Sequence, residues 1–434
     1  MKLSEMEIGT TRINVSEKQF PAQEILIQSG QIIQYSSGIY GYNNITLKVK
    51  QNIENIVRYE LNRAGCVEVS LPMLQPESIW KESGRFEKYT SDDTMMTVND
   101  EYSLAPTAEE AAVVFIRNKI NSYKDLPVTI YQIGEKFRNE LRTRGYLLRG
   151  KSFTMMDAYS FAKDSEETIQ IYEKIKKAYI EIFRRLDLDV IPVAANNGNM
   201  GGKKSEEFML LSELGEDTIL YDEETGEALN KEILDREDYK EYLKKEYGIT
   251  DVETLKPKRT IELGHIFQLG TKYSEVMNDA NFTDENSNNK AYYMGCYGIG
   301  ISRVLATIYE KNIVKNAKGK IDGIALPTNI APYILQIIPK SDNERKYKEA
   351  NEIYEKLQEL HIDTIIDDRK EQKFGSQIKD AKVLGTPYLA ILGEHTEAGK
   401  VEIENSKTGE KKILSKDKLI EWLKDFQKEK TKII

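Results

Sequence analysis

The chain has 434 residues, 40% of them hydrophobic and 31% charged, with a formal net charge of -9. That length supports two or three domains with sizeable cores, and the acidic balance argues against a nucleic-acid coat protein while leaving room for local basic patches that grip nucleic acid. The longest apolar run, residues 111–116, is too short to cross a bilayer; the two cysteines, Cys66 and Cys296, lie too far apart in sequence to form a zinc motif; and three histidines argue against a His-based metal centre.

The N-terminus lacks a basic-then-apolar signal pattern, so a cytoplasmic protein with no membrane partner is expected. Residues 21–41 read as a helix and a turn. Residues 48–64 predict an amphipathic helix, because Ile53, Ile56, Val57 and Leu61 recur at helical spacing and Gly65 is placed to end it. Residues 66–71 alternate as a strand and stop at Pro72. A second helix is expected over 107–118, where Thr107 is a candidate N-cap. Residues 165–187 predict a long charged helix whose apolar stripe is Ile171, Tyr172, Ile175, Tyr179, Ile182 and Phe183. Between 217 and 257 the composition turns polar, and 228–247 reads as a small surface helix and linker. Strand patterns return at 260–263 and 291–294. A turn-rich loop at 327–332 suggests a domain boundary. Beyond it, strand (333–338), helix (343–360), strand (363–366), helix (372–384) and strand (388–392) alternate, which predicts a compact α/β domain with a largely parallel sheet. A charged helix over 416–428 closes the chain.

The most informative stretch runs from Arg138 to Lys151. Arg138, Arg142, Arg144, Arg149 and Lys151 fall together on an otherwise acidic chain, between strand patterns at 131–133 and 153–161. Arginine suits phosphate, because its planar fork donates two parallel hydrogen bonds and keeps its charge. The hairpin is thus either a polyphosphate-binding loop or a solvated, charged turn.

Three further segments line up with it. These are the helix–strand–proline unit ending at Pro72, the run Gly264-His265-Ile266-Phe267-Gln268-Leu269-Gly270-Thr271-Lys272-Tyr273-Ser274, and Met294-Gly295-Cys296-Tyr297-Gly298-Ile299-Gly300-Ile301-Ser302-Arg303. In this order the four resemble motifs 1, 2 and 3 of the class II aminoacyl-tRNA synthetases. Their wording, with Pro106-Thr107-Ala108-Glu109-Glu110, resembles the bacterial prolyl-tRNA synthetases. The resemblance continues through Ile330-Ala331-Pro332 and Asp367-Asp368-Arg369-Lys370. It implies an α+β catalytic domain, with an antiparallel sheet flanked by helices, plus a C-terminal α/β anticodon-binding domain. The expected division is 1–208 and 259–328 for the catalytic domain, 209–258 for a short polar insertion, and 329–434 for the anticodon-binding domain.

The activity implied is proline–tRNA ligation with L-proline, ATP and tRNA(Pro) as substrates, Mg2+ as a phosphate bridge without an assigned protein ligand, and a homodimer built through motif 1. The resemblance sets Arg138 on the α-phosphate and proline, Glu140 at the adenine edge and Phe153 on the ring. Arg149 and Arg303 fall on the outer phosphates, and Gln268 and Thr271 near the nucleotide. Arg138 and Arg303 are the catalytic pair. Gly298 and Gly300 would let a helix start approach the nucleotide. Thr107 and Glu109 match the loop that receives the proline amine, and Asp157, His265 and Cys296 match pocket-lining positions. Thr107 could instead only cap a helix, His265 only satisfy the core, and Cys296 only pack. Arg142 and Arg144 would meet the tRNA acceptor stem or stay solvated. Asp368, Arg369 and Lys382 are anticodon candidates. A paralogue loading a non-tRNA acceptor is the alternative; the C-terminal domain argues against it.

Three departures stand out. The common bacterial enzymes carry a large editing domain near the neighbourhood marked here by Gly201-Gly202-Lys203-Lys204-Ser205-Glu206-Glu207-Phe208, yet the stretch from Phe208 to Gly264 is too short for a domain with its own sizeable core. Editing in cis is therefore not expected, and a trans-editing factor becomes a possible partner. Thr143 stands where the family usually has proline, and Gly41-Tyr42-Asn43-Asn44 replaces a Leu-Pro turn.

Overall fold

The computed structural model describes residues 1–6, 15, 20–340 and 342–433. After α1 (Pro21–Gln28), where only a turn was expected, β1 (Ile32–Ser36) and β2 (Ile39–Tyr42) pair as a hairpin. The amphipathic helix is α2 (Asn44–Arg63); Gly65, at φ 77°, ends it, and the Cys66 N–H reaches back to the Leu61 carbonyl at 3.0 Å. The strand that follows is shorter than its alternation suggests: β3 is only Val67–Glu68, on a sheet edge where both residues are exposed. Next come β4 (Leu74–Pro76), α3 (Glu77–Glu82), α4 (Phe86–Ser91), β5 (Met96–Val98) and β6 (Tyr102–Leu104). The helix expected from 107 is α5 (Glu109–Ile116). Its N-cap position is Ala108, so Thr107 does not cap it.

The chain continues through β7 (Val128–Phe137), β8 (Ser152–Ala162), α6 (Ser165–Arg185), β9 (Val190–Ala194), β10 (Lys204–Leu211), β11 (Asp217–Tyr221), β12 (Ala228–Asn230), α7 (Tyr239–Tyr247) and β13 (Lys256–Gly270). It then forms β14 (Asn281–Thr283), β15 (Asn289–Ala291), β16 (Tyr293–Ile299), α8 (Ile301–Lys311), β17 (Ile313–Lys315) and β18 (Ile321–Ile324). The last elements are β19 (Leu335–Pro339), α9 (Glu344–Glu359), β20 (Thr364–Ile366), α10 (Phe374–Val383), β21 (Tyr388–Leu392), β22 (Lys400–Asn405), β23 (Lys411–Ser415) and α11 (Lys416–Ile433).

Two compact units result. One comprises Val57–Arg144 and Arg149–Val304. Its centre is antiparallel: β10, β13, β16, β8 and β7 pair in succession, with β3 added in parallel at the β7 edge. Directly opposed residues share a face of a sheet, so the register sets Glu207, His265, Gly298, Asp157 and Gln132 in one row across five strands. The other face is covered by α6, which Asp164 caps by accepting from the Glu167 N–H at 2.8 Å. Tyr172, Ile175, Tyr179, Ile182 and Phe183 are buried there, as the periodicity predicts; Tyr179 and Phe183 pack on Phe208 with ring centroids 5.1 and 5.8 Å apart. Gly264 permits this approach, since a Cβ would lie 3.3 Å from the Tyr179 ring and 3.0 Å from the Gly298 carbonyl oxygen.

The polar segment is more than a helix and linker. β11 pairs with β13 and β12 with β11, and Leu229, Ile233, Tyr242, Leu243, Ile249 and Leu255 bury a small core with Ala194. Its strands are short and set among polar, charged turns, which hides them from a search for alternation.

The other unit comprises Met1–Ile56, Gly145–Leu148 and Leu305–Ile434. It holds a five-stranded sheet in the order β20-β19-β21-β22-β23. The first three strands are parallel and fit the α/β expectation, while β22 and β23 add antiparallel pairings, so the sheet is mixed rather than largely parallel. Leu335, Ile337, Ile353, Leu357, Val401, Ile403 and Leu423 share its core.

At the end of α8, Glu310 caps α1 by accepting from the N–H groups of Ala22 (3.3 Å) and Gln23 (3.2 Å). Burial pushes its carboxyl up to about 7 from an ordinary 4.5, against those two donors. The folded chain thus holds this proton more tightly than the unfolded chain. The stabilisation is complete below the ordinary value and falls as pH rises through the folded one. Glu310→Gln is expected to shrink the difference between urea midpoints measured at about pH 5 and about pH 8; an unchanged difference would reject this role.

Candidate active site

β7 and β8 pair without a break from Val128 opposite Phe161 to Phe137 opposite Ser152, so residues 138–151 form the loop of the hairpin. Arg138 is fixed at its root. Its N–H donates to the Lys151 carbonyl at 3.0 Å, its Nε donates to the Pro106 carbonyl at 3.3 Å, and its guanidinium lies 5.2 Å from the centre of the Phe153 ring. Further out, Arg149 pairs with Glu140 at 2.8 Å and with Glu216 at 3.0 Å, while Arg144 reaches Glu216 at 3.4 Å. Burial pushes the Glu140 carboxyl up, but the Arg149 hydrogen bond and charge outweigh it and hold the carboxyl below its ordinary range. Arg142 is exposed at the tip beside Leu141.

Below the hairpin root lies a cluster of buried charges. Glu109 is fully buried and accepts from the Thr107 hydroxyl at 2.9 Å, from Arg85 Nη1 at 3.0 Å and from the Cys296 thiol at 3.2 Å. Glu110 accepts from the same Arg85 nitrogen at 3.0 Å and from Ser83 at 2.7 Å. Asp157 pairs with Lys136 at 2.6 Å and accepts from Gln132 at 2.9 Å and from Tyr159 at 2.8 Å. The Tyr159 oxygen in turn accepts from the Ala108 N–H at 3.0 Å, which ties this pair to the start of α5. Burial raises the Cys296 thiol well above its usual range, so it packs rather than attacks.

Along the same row of the sheet, His265 stacks on Phe267, centroids 3.8 Å apart, with its Nδ1 3.3 Å from Glu262 and 3.6 Å from Glu207. Arg303, in the first turn of α8, donates to the Glu262 carbonyl at 2.7 Å and pairs with its carboxylate at 2.9 Å. Burial pushes Glu207 up to about 7 with help from the Glu262 charge and against the pull of His265. Glu262 is only partly buried, and His265 and Arg303 bring it down to about 2 against that burial. Between His265 and Asp157 in the row sits Gly298. A Cβ there would meet nothing closer than Met155 Sδ at 3.8 Å, so protein packing does not require glycine and the bare backbone leaves a floor open to a ligand.

The structure therefore gathers Thr107, Glu109, Cys296, Asp157, Arg138 and Phe153 into linked contacts, and it sets His265 and Arg303 on a shared carboxylate. Two expectations fit less well. The Thr271 hydroxyl donates to Glu275 at 2.6 Å, whereas the backbone carbonyl of Gln268 accepts from the Lys203 N–H at 3.0 Å, a contact that leaves its side chain uncommitted. In the C-terminal unit, Arg369 is committed to Asp367 at 2.7 Å and Asp380 at 2.9 Å, and Asp368 accepts from Ser4 at 2.6 Å. Lys382 is likewise paired, with Asp322 at 2.6 Å, and it lines a cavity of about 760 Å³ together with Phe374, Ile378 and Lys411.

Arg85, Lys136, Glu216 and Glu262 are not foreseen from the sequence, and Glu110 and Glu207 fall within recognised runs without a part of their own. Lys136 and Glu262 each precede a motif residue by two or three positions. Arg85 lies far upstream of its two partners, and no spacing rule joins them.

Residues 89–312 match the model of the tRNA synthetase class II core domain (G, H, P, S and T), and residues 335–426 match the anticodon binding domain. A proline–tRNA ligase of Sulfurimonas denitrificans is 37% identical across 98% of this chain and 100% of its own length. One of Ehrlichia canis is 38% identical across 99% and 100%. A crystal structure of prolyl-tRNA synthetase from Cryptosporidium parvum, complexed with L-proline and AMP, superposes with a TM-score of 0.71 at 16% identity. It covers 97% of this chain and 81% of that one, a likeness of fold.

Lys136 and Asp157 have side chains only 2% exposed. Removing one partner strands a buried charge, so Asp157→Asn should cost about 3–5 kcal/mol in urea unfolding, whereas exchanging both for apolar residues of similar volume should cost much less. Equal losses in the two variants would contradict this account of the pair.

Proposed function

This chain belongs to the proline–tRNA ligases of class II, and we propose how its own residues carry the ATP-dependent joining of proline to tRNA. In the first step a carboxylate oxygen of proline attacks the α-phosphorus of ATP. The bond to the bridging oxygen of the β-phosphate breaks, pyrophosphate leaves, and prolyl-adenylate forms. In the second, the terminal ribose hydroxyl of tRNA attacks the prolyl carbonyl carbon, gives up its proton, and AMP departs. Such chemistry needs positioning and charge stabilisation more than covalent help.

One observation carries the reading: a fully buried carboxylate, Glu109, lies three residues from the carbonyl of Pro106 that holds Arg138. An anionic and a cationic group are thus tied to one short loop, in the order that a zwitterionic amino acid needs. Glu109, supported by Thr107, receives the secondary ammonium. Arg138 faces the carboxylate and the α-phosphate, where charge develops in the transition state. Phe153, already against the Arg138 guanidinium, stacks the adenine with Glu140 at its edge. Arg149 and Arg303 take the outer phosphates. Gln268 and Thr271 border the nucleotide, and the hydroxyl of Thr271 has first to leave Glu275. Asp157, His265 and Cys296 complete the walls around proline.

Mg2+ suits the group of Glu207, Glu262 and His265, whose ligand atoms lie within 4.8 Å of one another and whose two carboxylates give the oxygen donors that this ion prefers. When bound there, the ion offsets charge on the phosphates. Arg142 and Arg144 meet the acceptor end. The cavity bearing Lys382 takes an unpaired anticodon base, for which Phe374 supplies a stacking surface. This use of the C-terminal unit favours tRNA over a carrier-protein acceptor.

A homodimer through motif 1 is supported by Val67, Met73 and Leu74, large apolar side chains that stand 59%, 50% and 47% exposed beside α2 and β3. Sedimentation should give a dimer at micromolar concentration; a monomer would overturn this part. The residues between Phe208 and Gly264 are occupied by sheet extension and a small core, which supports the absence of cis editing and a need for a trans-editing factor.

The test is amino-acid-dependent pyrophosphate exchange followed by charging of tRNA(Pro). Proline should drive exchange and charging, with Arg138→Ala abolishing exchange. Alanine should drive weaker exchange, because a pocket rejects a smaller ligand by only a few kcal/mol, and purified Ala-tRNA(Pro) should persist. Exchange without charging would favour the carrier acceptor, no exchange would reject the ligase reading, and rapid hydrolysis of Ala-tRNA(Pro) would reject the absence of editing.

A further inference from the structure

The buried cluster at the start of α5 carries more charge than a structural core needs. Glu109 and Glu110 are both fully buried, and one guanidinium nitrogen, Arg85 Nη1, bonds to both carboxylates. Lys136 and Asp157 balance each other nearby. Among the direct contacts, what remains is Arg85 against two carboxylates, a surplus of one negative charge that Lys272, its Nζ bonded to the Met200 carbonyl at 2.9 Å, offsets only through its field. Such a surplus is costly in a finished interior, and a cluster that keeps it is awaiting a cation.

The construction around Arg85 points the same way. Its guanidinium is enclosed by the rings of Trp80, Tyr89 and Tyr273, at 5.2, 4.5 and 5.1 Å from their centres. Its Nη2 faces the Tyr89 hydroxyl and Met200 Sδ, the latter at 3.5 Å. Its Nε is buried and has no acceptor among the described residues. A guanidinium placed only for stability would satisfy that nitrogen; this one is oriented by its aromatic cage so that one nitrogen spans the two glutamates.

We propose that Arg85 is a positioning residue for amino-acid binding: it neutralises Glu110 through the shared nitrogen, holds Glu109 against Thr107 and Cys296, and leaves one negative charge that the secondary ammonium of the ligand completes. The groups facing the two carboxylates are Arg85, Tyr89, Thr107, Cys296, Tyr159, Ser83, Lys272 and Tyr273. Arg85 thereby acts through Glu109 without touching the substrate, and the proposal rests on the assignment of proline to this pocket.

A charge-balance cycle tests it. In Arg85→Met the two carboxylates face each other without a counter-charge and share a proton, which occupies the Glu109 oxygen that the ammonium of the ligand needs. In Glu110→Gln, Arg85 neutralises Glu109 and the surplus charge disappears. In the double variant Glu109 alone remains, and the surplus of one is restored. Proline KM in pyrophosphate exchange should rise about tenfold or more in each single variant and return toward the native value in the double, while the KM for ATP stays within about twofold throughout. Arg85→Lys should recover part of the loss. A double variant as impaired as the worse single variant, with thermal unfolding unchanged, would overturn the proposal, as would a parallel rise in the KM for ATP. Should Arg85→Met alone fail to fold, Glu110→Gln against the double variant decides. Proline-dependent exchange by the native enzyme tests the ligase reading separately.

Discussion

Everything in the catalytic unit depends on the register of five antiparallel strands. The row Glu207, His265, Gly298, Asp157 and Gln132 exists because each pair of strands places those residues opposite one another. The side-chain period of a strand is two, so a slip of one residue in any ladder would turn site residues toward α6 and bury Tyr297 or Phe208 on the wrong side. The large aromatic residues of α6 and its face of the sheet therefore do more than stabilise. Tyr179, Phe183 and Phe208 interlock in one arrangement, and that arrangement selects the register that the opposite face needs. Packing on one side of the sheet fixes chemistry on the other.

The site itself works against folding. Glu109, Glu110, Asp157, Lys136 and Arg85 are taken out of water together, and replacing such clusters with well-packed apolar side chains commonly increases stability. Their stabilisation of one another comes mainly from geometry: a shared guanidinium nitrogen, an ion pair with three satisfied contacts at Asp157, and Tyr159 donating in one direction while accepting from α5 in the other. Around His265 the same logic separates two carboxylates, bringing Glu262 down and Glu207 up because only the first shares both His265 and Arg303. Neighbours, not residue type, assign their different roles.

How much of this was legible depended on how local the signal was. The Arg-rich hairpin was readable because a basic run on an acidic chain is anomalous and its flanks alternate. α2 and α6 were readable because 3.6-residue periodicity survives in a single sequence. The row across the sheet was invisible, since it joins positions scattered from 132 to 298 that only strand pairing brings together. β11 and β12 were missed because each is short and takes its burial from neighbours rather than from its own pattern. Thr107 was offered a helix cap by position and instead donates to Glu109, a choice set by the buried carboxylate and not by propensity. Arg85 is the clearest limit: nothing in residues 80–90 distinguishes it from an ordinary surface arginine.

The Arg-rich hairpin gains its full meaning from what its arginines do before any ligand arrives. Arg149 is held by Glu140 and Glu216, and Arg144 by Glu216. Free arginines would repel one another, and the carboxylates of Glu140 and Glu216 offset that repulsion. These side chains are half exposed, so each contact is weak and exchangeable at little cost. Arg138 differs. Its partners are a backbone carbonyl and an aromatic face, neither of which carries a negative charge to be displaced. The Arg138 guanidinium is therefore oriented by neutral contacts and feels the Glu140 carboxylate only through its field, while Arg144 and Arg149 further out are ion-paired. On the reading proposed above, that gradient, from a fixed cation at the root to exchangeable ones at the tip, suits a loop whose root stabilises a transition state and whose tip accommodates large substrates.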